Sequence, residues 1–182
     1  IAGYIGFESL SEGRIRKALA AMHNRGPDFS SFKNFNEGKA SISLLHARLS
    51  IIDLDPRSNQ PFTLEDCTIV FNGEIYNYLE LKKPLEDSGV KFRTSSDTEV
   101  LLHYYLKYGE QCVNYFEGMW SFAIYDERKK TVFMSRDRFA EKPLYYYRTD
   151  KGFYFASETN TLRALSGVNF EVNYNHLKRY MV

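Results

Sequence analysis

The stretch Thr68-Ile69-Val70-Phe71-Asn72-Gly73-Glu74-Ile75-Tyr76-Asn77 decides how the rest of the chain is read. Its first four residues are strand formers, its middle is polar, and a helix-like pattern opens at or just after Asn77. Asn-Gly is a strong turn pair, because glycine accepts positive φ without a steric penalty. The spacing therefore predicts a strand-to-helix corner at Asn72-Gly73-Glu74, with Asn77 as the N-cap. Such a corner also has a chemical reading. It can aim an amide side chain and a backbone N–H at one point, which is what a tetrahedral oxyanion requires. Partners elsewhere in the chain must decide between the two.

Upstream, the chain opens directly on Ile1-Ala2-Gly3-Tyr4-Ile5-Gly6-Phe7, a buried-strand pattern with no Met in front of it. A core strand normally has residues ahead of it, so the reading is that the natural start lies upstream. Ser11 precedes an amphipathic helix with Ile15, Leu19 and Met22 on one face, which ends near Asn24-Arg25-Gly26-Pro27-Asp28. Two strands follow, about 29–35 and 40–46, and the segment from Asp55 to Pro61 reads as a loop. Downstream, Tyr78, Leu81 and Leu85 mark a helix that Pro84 should kink or end. Ser96-Asp97-Thr98-Glu99 fits a capping box opening a further helix. From Met119 the period becomes two, giving hairpins about Glu127–Lys130 and Asp150-Lys151-Gly152, with short helices to finish. Strands at both ends, helices between them and hairpins instead of regular βαβ units give a layered α+β domain.

At 182 residues the chain supports one well-buried domain. A net charge of +1 excludes a polyelectrolyte partner by composition, and the clusters Arg128-Lys129-Lys130 and Lys82-Lys83 are too short for a nucleic-acid face. No apolar run approaches a membrane span, so no membrane is expected. Cys67 and Cys112 are too few for a disulfide framework, which suits a cytoplasmic protein. Both read as small buried hydrophobes. His23, His46, His103 and His176 lack metal-ligand spacing.

Three polar positions stand in apolar surroundings. Arg48 interrupts Leu44-Leu45-His46-Ala47-Arg48-Leu49-Ser50-Ile51-Ile52, and a buried Arg there needs an anion: either a ligand carboxylate or an internal partner, Asp53 or Asp28. Asp97 in a first helical turn either meets the helix dipole, worth about 0.3–1 kcal/mol, or holds an ammonium. On the chemical reading Asn72 and Gly73 would be the oxyanion donors. Together they make a receptor for an α-amino acid.

With these residues in view, the chain resembles the glutaminase domain of class II (N-terminal nucleophile) glutamine amidotransferases, and within them the asparagine synthetase family. The motifs are Ile1-Ala2-Gly3, Arg25-Gly26-Pro27-Asp28, His46-Ala47-Arg48-Leu49-Ser50-Ile51-Ile52-Asp53, Gln60-Pro61, Asn72-Gly73-Glu74-Ile75-Tyr76-Asn77 and Ser96-Asp97-Thr98-Glu99. Phe116-Glu117-Gly118-Met119, Arg136-Asp137-Arg138-Phe139, Glu141-Lys142-Pro143-Leu144-Tyr145-Tyr146 and Ala156-Ser157-Glu158 complete the set, in family order over nearly the whole chain. Three positions depart from the family pattern: Asn24 for the usual His, Ala140 for the usual Gly before Glu-Lys-Pro, and Pro84 within a helix.

The resemblance implies a four-layer αββα sandwich of two antiparallel sheets, the N-terminal-nucleophile hydrolase architecture, over residues 1–182. It implies a mature start Cys-Gly-Ile-Ala-Gly with cysteine as nucleophile, so the chain as it stands would lack that residue and be inactive alone. Arg48 would bind the glutamine α-carboxylate and Asp97 its α-amine. Asn72 and Gly73 would form the oxyanion hole, with Glu74 and backbone around Ile51 completing the pocket and Arg25 bracing the nucleophile's strand. No cofactor is implied in this domain. ATP and Mg²⁺ belong to a C-terminal synthetase domain, the partner that receives the ammonia, and a homodimer is compatible with the pattern. Two other readings use the same residues: a non-catalytic glutamine-binding or docking module, and a different N-terminal-nucleophile hydrolase of the penicillin acylase type. The amino-acid clamp, Arg48 with Asp97, argues against the latter.

Overall fold

The computed structural model describes residues 1–181. One sheet contains β1 (Ala2–Gly6), β2 (Phe29–Glu37), β3 (Ala40–Arg48), β8 (Tyr145–Thr149) and β9 (Gly152–Ala156), in the order β2-β3-β1-β9-β8. The other contains β4 (Phe62–Leu64), β5 (Cys67–Ile75), β6 (Gly118–Asp126) and β7 (Thr131–Arg136), in sequence order. Every pairing is antiparallel. The helices are α1 (Glu12–Met22), α2 (Tyr78–Asp87), α3 (Asp97–Tyr108), α4 (Thr159–Ser166) and α5 (Tyr174–Tyr180).

Side-chain alternation builds the layers. On β6, Trp120, Phe122 and Ile124 turn towards α2 and α3, where they meet Leu81, Leu85, Leu101 and Tyr105. Ala123 and Tyr125 turn the other way and join Val70, Ile42, Leu44 and Phe155 between the sheets. On the far side, Ile15 and Ala18 of α1 and Leu162 and Leu165 of α4 cover Ala2, Tyr4 and Leu45. Helices outside and two sheets inside make the four-layer αββα sandwich expected of the sequence.

Several local expectations are corrected. The Asn72-Gly73 pair forms no turn: β5 runs unbroken through it, and the φ of Gly73 is not positive. Glycine is required there for close approach, since a Cβ would run into the Met119 carbonyl oxygen and the Trp120 Cα of the neighbouring strand. Asn77 does sit at the head of α2, but its side chain does not cap the helix. It donates to the Tyr115 carbonyl (3.0 Å) and accepts from the Glu117 N–H (3.0 Å), tying the strand exit to the start of β6.

The capping box forms only by half. Ser96 accepts from the Thr98 N–H (3.2 Å), whereas the buried Glu99 carboxylate turns to the Arg93 and Thr94 N–H groups and the Thr94 hydroxyl. Pro84 does not end α2, which continues to Asp87. Both Pro84 and Glu80, one turn back, are exposed, so water can take the carbonyl that the missing N–H abandons while Leu81 and Leu85 keep the helix seated. The three-residue β4 had no anticipated counterpart.

The loop between β7 and β8 is gathered on Asp137. Its buried carboxylate accepts from the N–H groups of Trp120, Phe139, Glu141 and Lys142 at 2.9–3.3 Å. Burial works to raise its pKa, and these bonds outweigh it and hold the carboxyl below its ordinary value. Within this loop Ala140 takes φ 59°, the left-handed region in which a Cβ is strained. Ala140→Gly should therefore raise the urea midpoint, by about 0.5–1 kcal/mol of stability, because relief of strain exceeds the extra freedom of the unfolded chain. A lower midpoint in urea titration would show that the left-handed backbone there is not strained.

Candidate active site

The site forms on the open edge of β5. Strand β4 pairs only with Cys67–Ile69 of β5, so beyond Ile69 that edge has no neighbouring strand among the described residues. Side chains replace it. The Phe71 N–H donates to Gln60 Oε1 (2.6 Å), the Phe71 carbonyl accepts from His46 Nε2 (3.1 Å), and the Ile75 N–H donates to Asp97 Oδ2 (3.0 Å). Alternation along a strand turns the backbone groups of residues 71, 73 and 75 to the same edge. The Gly73 N–H therefore lies between two satisfied neighbours, and no loop or side chain among the described residues accepts from it. It opens on a cavity of about 220 Å³, smaller than the roughly 300–1,000 Å³ of drug-sized sites and on the scale of a single amino acid.

Asn72 points the opposite way from the β5 helix-side residues, towards the other sheet, and its Nδ2 donates to Ser157 Oγ (3.4 Å). Ser157, at the end of β9, also accepts from the Ile1 nitrogen (3.2 Å), and its own N–H donates to the Ile1 carbonyl (2.9 Å). Asn72, Ser157 and the leading end of β1 thus converge on the cavity from two sheets.

On β3, Ile42 and Leu44 face the layer between the sheets, so His46 and Arg48 face inward too. Arg48 is 7% exposed and lines the cavity. Of the two readings of Arg48, the internal ion pair with Asp53 or Asp28 does not form: the Asp53 carboxylate accepts from the Ser95 N–H (2.6 Å), and that of Asp28 from the Ser50 N–H (2.7 Å). Instead Arg48 grips the 52–59 loop. Nη1 donates to the Asp55 carbonyl (3.2 Å) and Asn59 Oδ1 (2.8 Å), and Nη2 to the carbonyls of Ile52 and Asp53. Every acceptor is neutral, so the guanidinium charge has no carboxylate partner among the described residues.

Asp97 begins α3 at the cavity wall and is 4% exposed. Burial raises its carboxyl pKa to about 6, against the lowering effect of bonds from Ile75, Ser96 and Thr98. Glu74, half-buried on β5, adds negative charge beside it. Ile51 borders the cavity but is 73% exposed, so its side chain forms rim and not floor. Arg25 pairs with Glu158 (3.3 Å), next to Ser157. Asp137's loop brings Lys142 to the same cavity. Cys67 and Cys112 are both buried, with thiols pushed up to about 12 by burial, which makes them poor nucleophiles at neutral pH.

Asn72, Gly73, Glu74, Arg48, Ile51 and Asp97, the residues singled out in the sequence, all line this one cavity. Among the other lining residues, His46, Gln60, Ser157 and Lys142 were given no role there. His46 carried a readable signal, a polar ring inside an apolar strand, and the others lay within quoted motifs.

Comparison with known proteins follows the same lines. Residues 1–182 match the glutamine amidotransferase domain family. The chain is 39% identical to putative asparagine synthetase [glutamine-hydrolyzing] 2 of Methanocaldococcus jannaschii, over 96% of its own length and 37% of that protein's. It is 40% identical to asparagine synthetase [glutamine-hydrolyzing] 1 of Bacillus subtilis, over 93% of its length and 26% of that protein's. The chain thus spans roughly a quarter to a little over a third of these relatives. Among solved structures, the glutamine phosphoribosylpyrophosphate amidotransferase of B. subtilis, complexed with ADP and GMP, superposes with a TM-score of 0.73 at 20% identity. That likeness covers 91% of this chain and 44% of the other, and it establishes the shared fold. With the family match running from end to end over a two-sheet sandwich whose matched motifs meet in one cavity, the chain belongs to the glutamine amidotransferase domain family.

Proposed function

We propose that this domain hydrolyses glutamine to glutamate and ammonia, using a cysteine carried two residues ahead of Ile1. The observation that carries the reading is the open Gly73 N–H beside the Asn72 amide, facing the leading end of β1. In the β1–β3 register Ala2 faces Leu45 and Gly3 faces Leu44. Continued by the same step, Ile1 faces His46 and a residue two positions earlier faces Arg48. A side chain at that position would share the inward face with Ile1, His46 and Arg48, in front of the oxyanion donors.

In this mechanism the thiolate attacks the glutamine carboxamide carbon, forming the C–S bond and moving the C=O electron pair onto oxygen. Asn72 Nδ2 and the Gly73 N–H receive that oxyanion. Collapse breaks the C–N bond and releases ammonia, the proton being delivered by the nucleophile's own α-amine or a bound water. Water then cleaves the thioester to give glutamate and restore the thiol. Asp97 takes the α-ammonium and Arg48 the α-carboxylate, for which Arg48 must exchange part of its hold on the 52–59 loop. Glu74 and the Ile51 backbone close the pocket.

The ammonia is then used to amidate an activated carboxylate, aspartate by default. That step is assigned to an ATP- and Mg²⁺-dependent synthetase domain in the length that the relatives have and this chain does not span. Among the described residues no group of three or more His, Cys, Asp or Glu is placed to hold a metal. No described helix is long and apolar enough to cross a membrane, and the cytoplasm is the proposed compartment.

The direct test uses the protein carrying Cys-Gly ahead of Ile1. Asn72→Ala should lower its glutaminase kcat by about 10²–10³-fold, the scale for losing one oxyanion donor. Unchanged turnover would remove Asn72 from that role, and glutamine binding without hydrolysis in the unsubstituted protein would replace the enzyme by a binding module.

Asp97 gives a pH test. Because its folded pKa is raised to about 6, it takes up its proton as pH falls through that value, sooner than an unfolded aspartate would. The ligand-free fold thus loses some stability as pH rises from the ordinary aspartate range to about 6, and an ammonium ligand favours the ionised form. Glutamine affinity measured by calorimetry should be flat above neutral pH and fall about tenfold per unit well below pH 6. Asp97→Asn should bind weakly with no such dependence; an unaltered profile in that variant would exclude Asp97 as the ammonium site.

A further inference from the structure

His46 is 4% exposed and lines the cavity, yet only one of its ring nitrogens is used. Nε2 lies 3.1 Å from the Phe71 carbonyl oxygen, and Nδ1 is buried without a partner among the described residues. A carbonyl oxygen only accepts, so the ring proton sits on Nε2 and Nδ1 carries a bare lone pair. Burial keeps the ring neutral by pushing its pKa down to about 3. An apolar residue would fill this space without an orphaned nitrogen, so the ring is explained by what Nε2 does. Its target is specific. The Phe71 carbonyl belongs to the peptide whose nitrogen is that of Asn72, and Gln60 fixes the other side of Phe71 while its Nε2 donates to Thr98 Oγ1 (3.3 Å). His46 also makes this bond from the opposite sheet.

We propose that His46 is a positioning residue for the oxyanion site: its Nε2–H holds the Phe71–Asn72 peptide across the sandwich and thereby aims the Asn72 amide and the Gly73 N–H. The proposal deepens the glutaminase reading and rests on it for its kinetic consequence. Misplacing a catalytic group by a fraction of an ångström to 1 Å slows turnover by about ten- to a hundredfold without touching the residues that hold the substrate.

The test uses the protein carrying Cys-Gly ahead of Ile1. His46→Phe keeps the bulk and loses the donor; kcat should fall about ten- to a hundredfold with KM for glutamine within about threefold. His46→Gln places an amide nitrogen near the Nε2 position and should recover most of that loss. His46→Asn, whose amide reaches only the Nδ1 position, should behave like His46→Phe and serves in its place if the phenylalanine variant does not fold. In an Asn72→Ala background the same changes should cost far less than in the native one, because they act through that donor. A glutamine variant as slow as the phenylalanine one, a phenylalanine or asparagine variant with native kcat, or full additivity with Asn72→Ala would each overturn the proposal. Amide spectra of the 182-residue chain give a readout that needs no turnover: the Gly73 N–H and Asn72 side-chain resonances should shift in His46→Asn and stay near native in His46→Gln. If they do so and the protein hydrolyses no glutamine, the glutaminase reading falls and the positioning role of His46 stands.

Discussion

The structure of the site depends on one constraint: β5 outruns its neighbour. Strand β4 is three residues long, so β5 presents buried backbone groups beyond Ile69 to an edge with no strand on it. Buried N–H and C=O groups must find partners, since leaving one unmade costs about 1–3 kcal/mol. The fold answers by bringing a side chain to each, Gln60 and His46 to Phe71 and Asp97 to Ile75. The backbone groups left over are those of Gly73, and its N–H is the donor among them. A donor without a protein partner in a cavity is a reason to expect an anionic or carbonyl oxygen there.

The same edge explains why the site draws on so much of the chain. Gln60 is held by Ser31 of β2 through its carbonyl (2.6 Å) and by Thr98 of α3 through its amide. His46 reaches across from β3, and Asp97 comes from the head of α3. Both sheets, one helix and the segment that carries Gln60 therefore fix a few backbone atoms. Sites built in this way sit on rigid elements, and their geometry is set by bonds that make no contact with the ligand. Arg48 is the exception. Its hold on the loop carbonyls is made of neutral acceptors that a carboxylate can displace, so it is the member of the site best suited to change partner on binding.

Period and turn chemistry made the layers legible: the alternation from Met119, the hairpins and the amphipathic helices all formed near the places read for them. The central stretch was misread in its geometry and not in its residues. Asn72-Gly73 looks like a turn because local propensity knows nothing of the strand beside it, and it is the proximity of Met119 and Trp120 that requires the glycine. Asn77 and Glu99 fail as caps for the same kind of reason, since tertiary donors and acceptors outcompete the local ones. Asn72, Gly73, Glu74, Arg48, Ile51 and Asp97 were identifiable from motifs. The uses of His46, Gln60 and Ser157 were not, because they depend on which edge of β5 lies bare, a property of strand order that no local pattern encodes.

The electrostatics of the cavity narrow what it can hold. Arg25 and Glu158 compensate each other, but Arg48 has only neutral acceptors and Asp97 is an acid pushed up by burial. A monovalent ligand would answer one of these and leave the other buried and unpaired, and an unpaired charge in such a place is strongly unfavourable. A zwitterion answers both. The bare Gly73 N–H and the Asn72 amide then ask for an oxygen at the far end of the ligand, which a side-chain carboxamide provides. A side-chain carboxylate would fit these donors as well, but it would add a full negative charge to a cavity that Glu74 and Asp97 also line. On the proposed reading that difference favours retention of the amide substrate over the acid product.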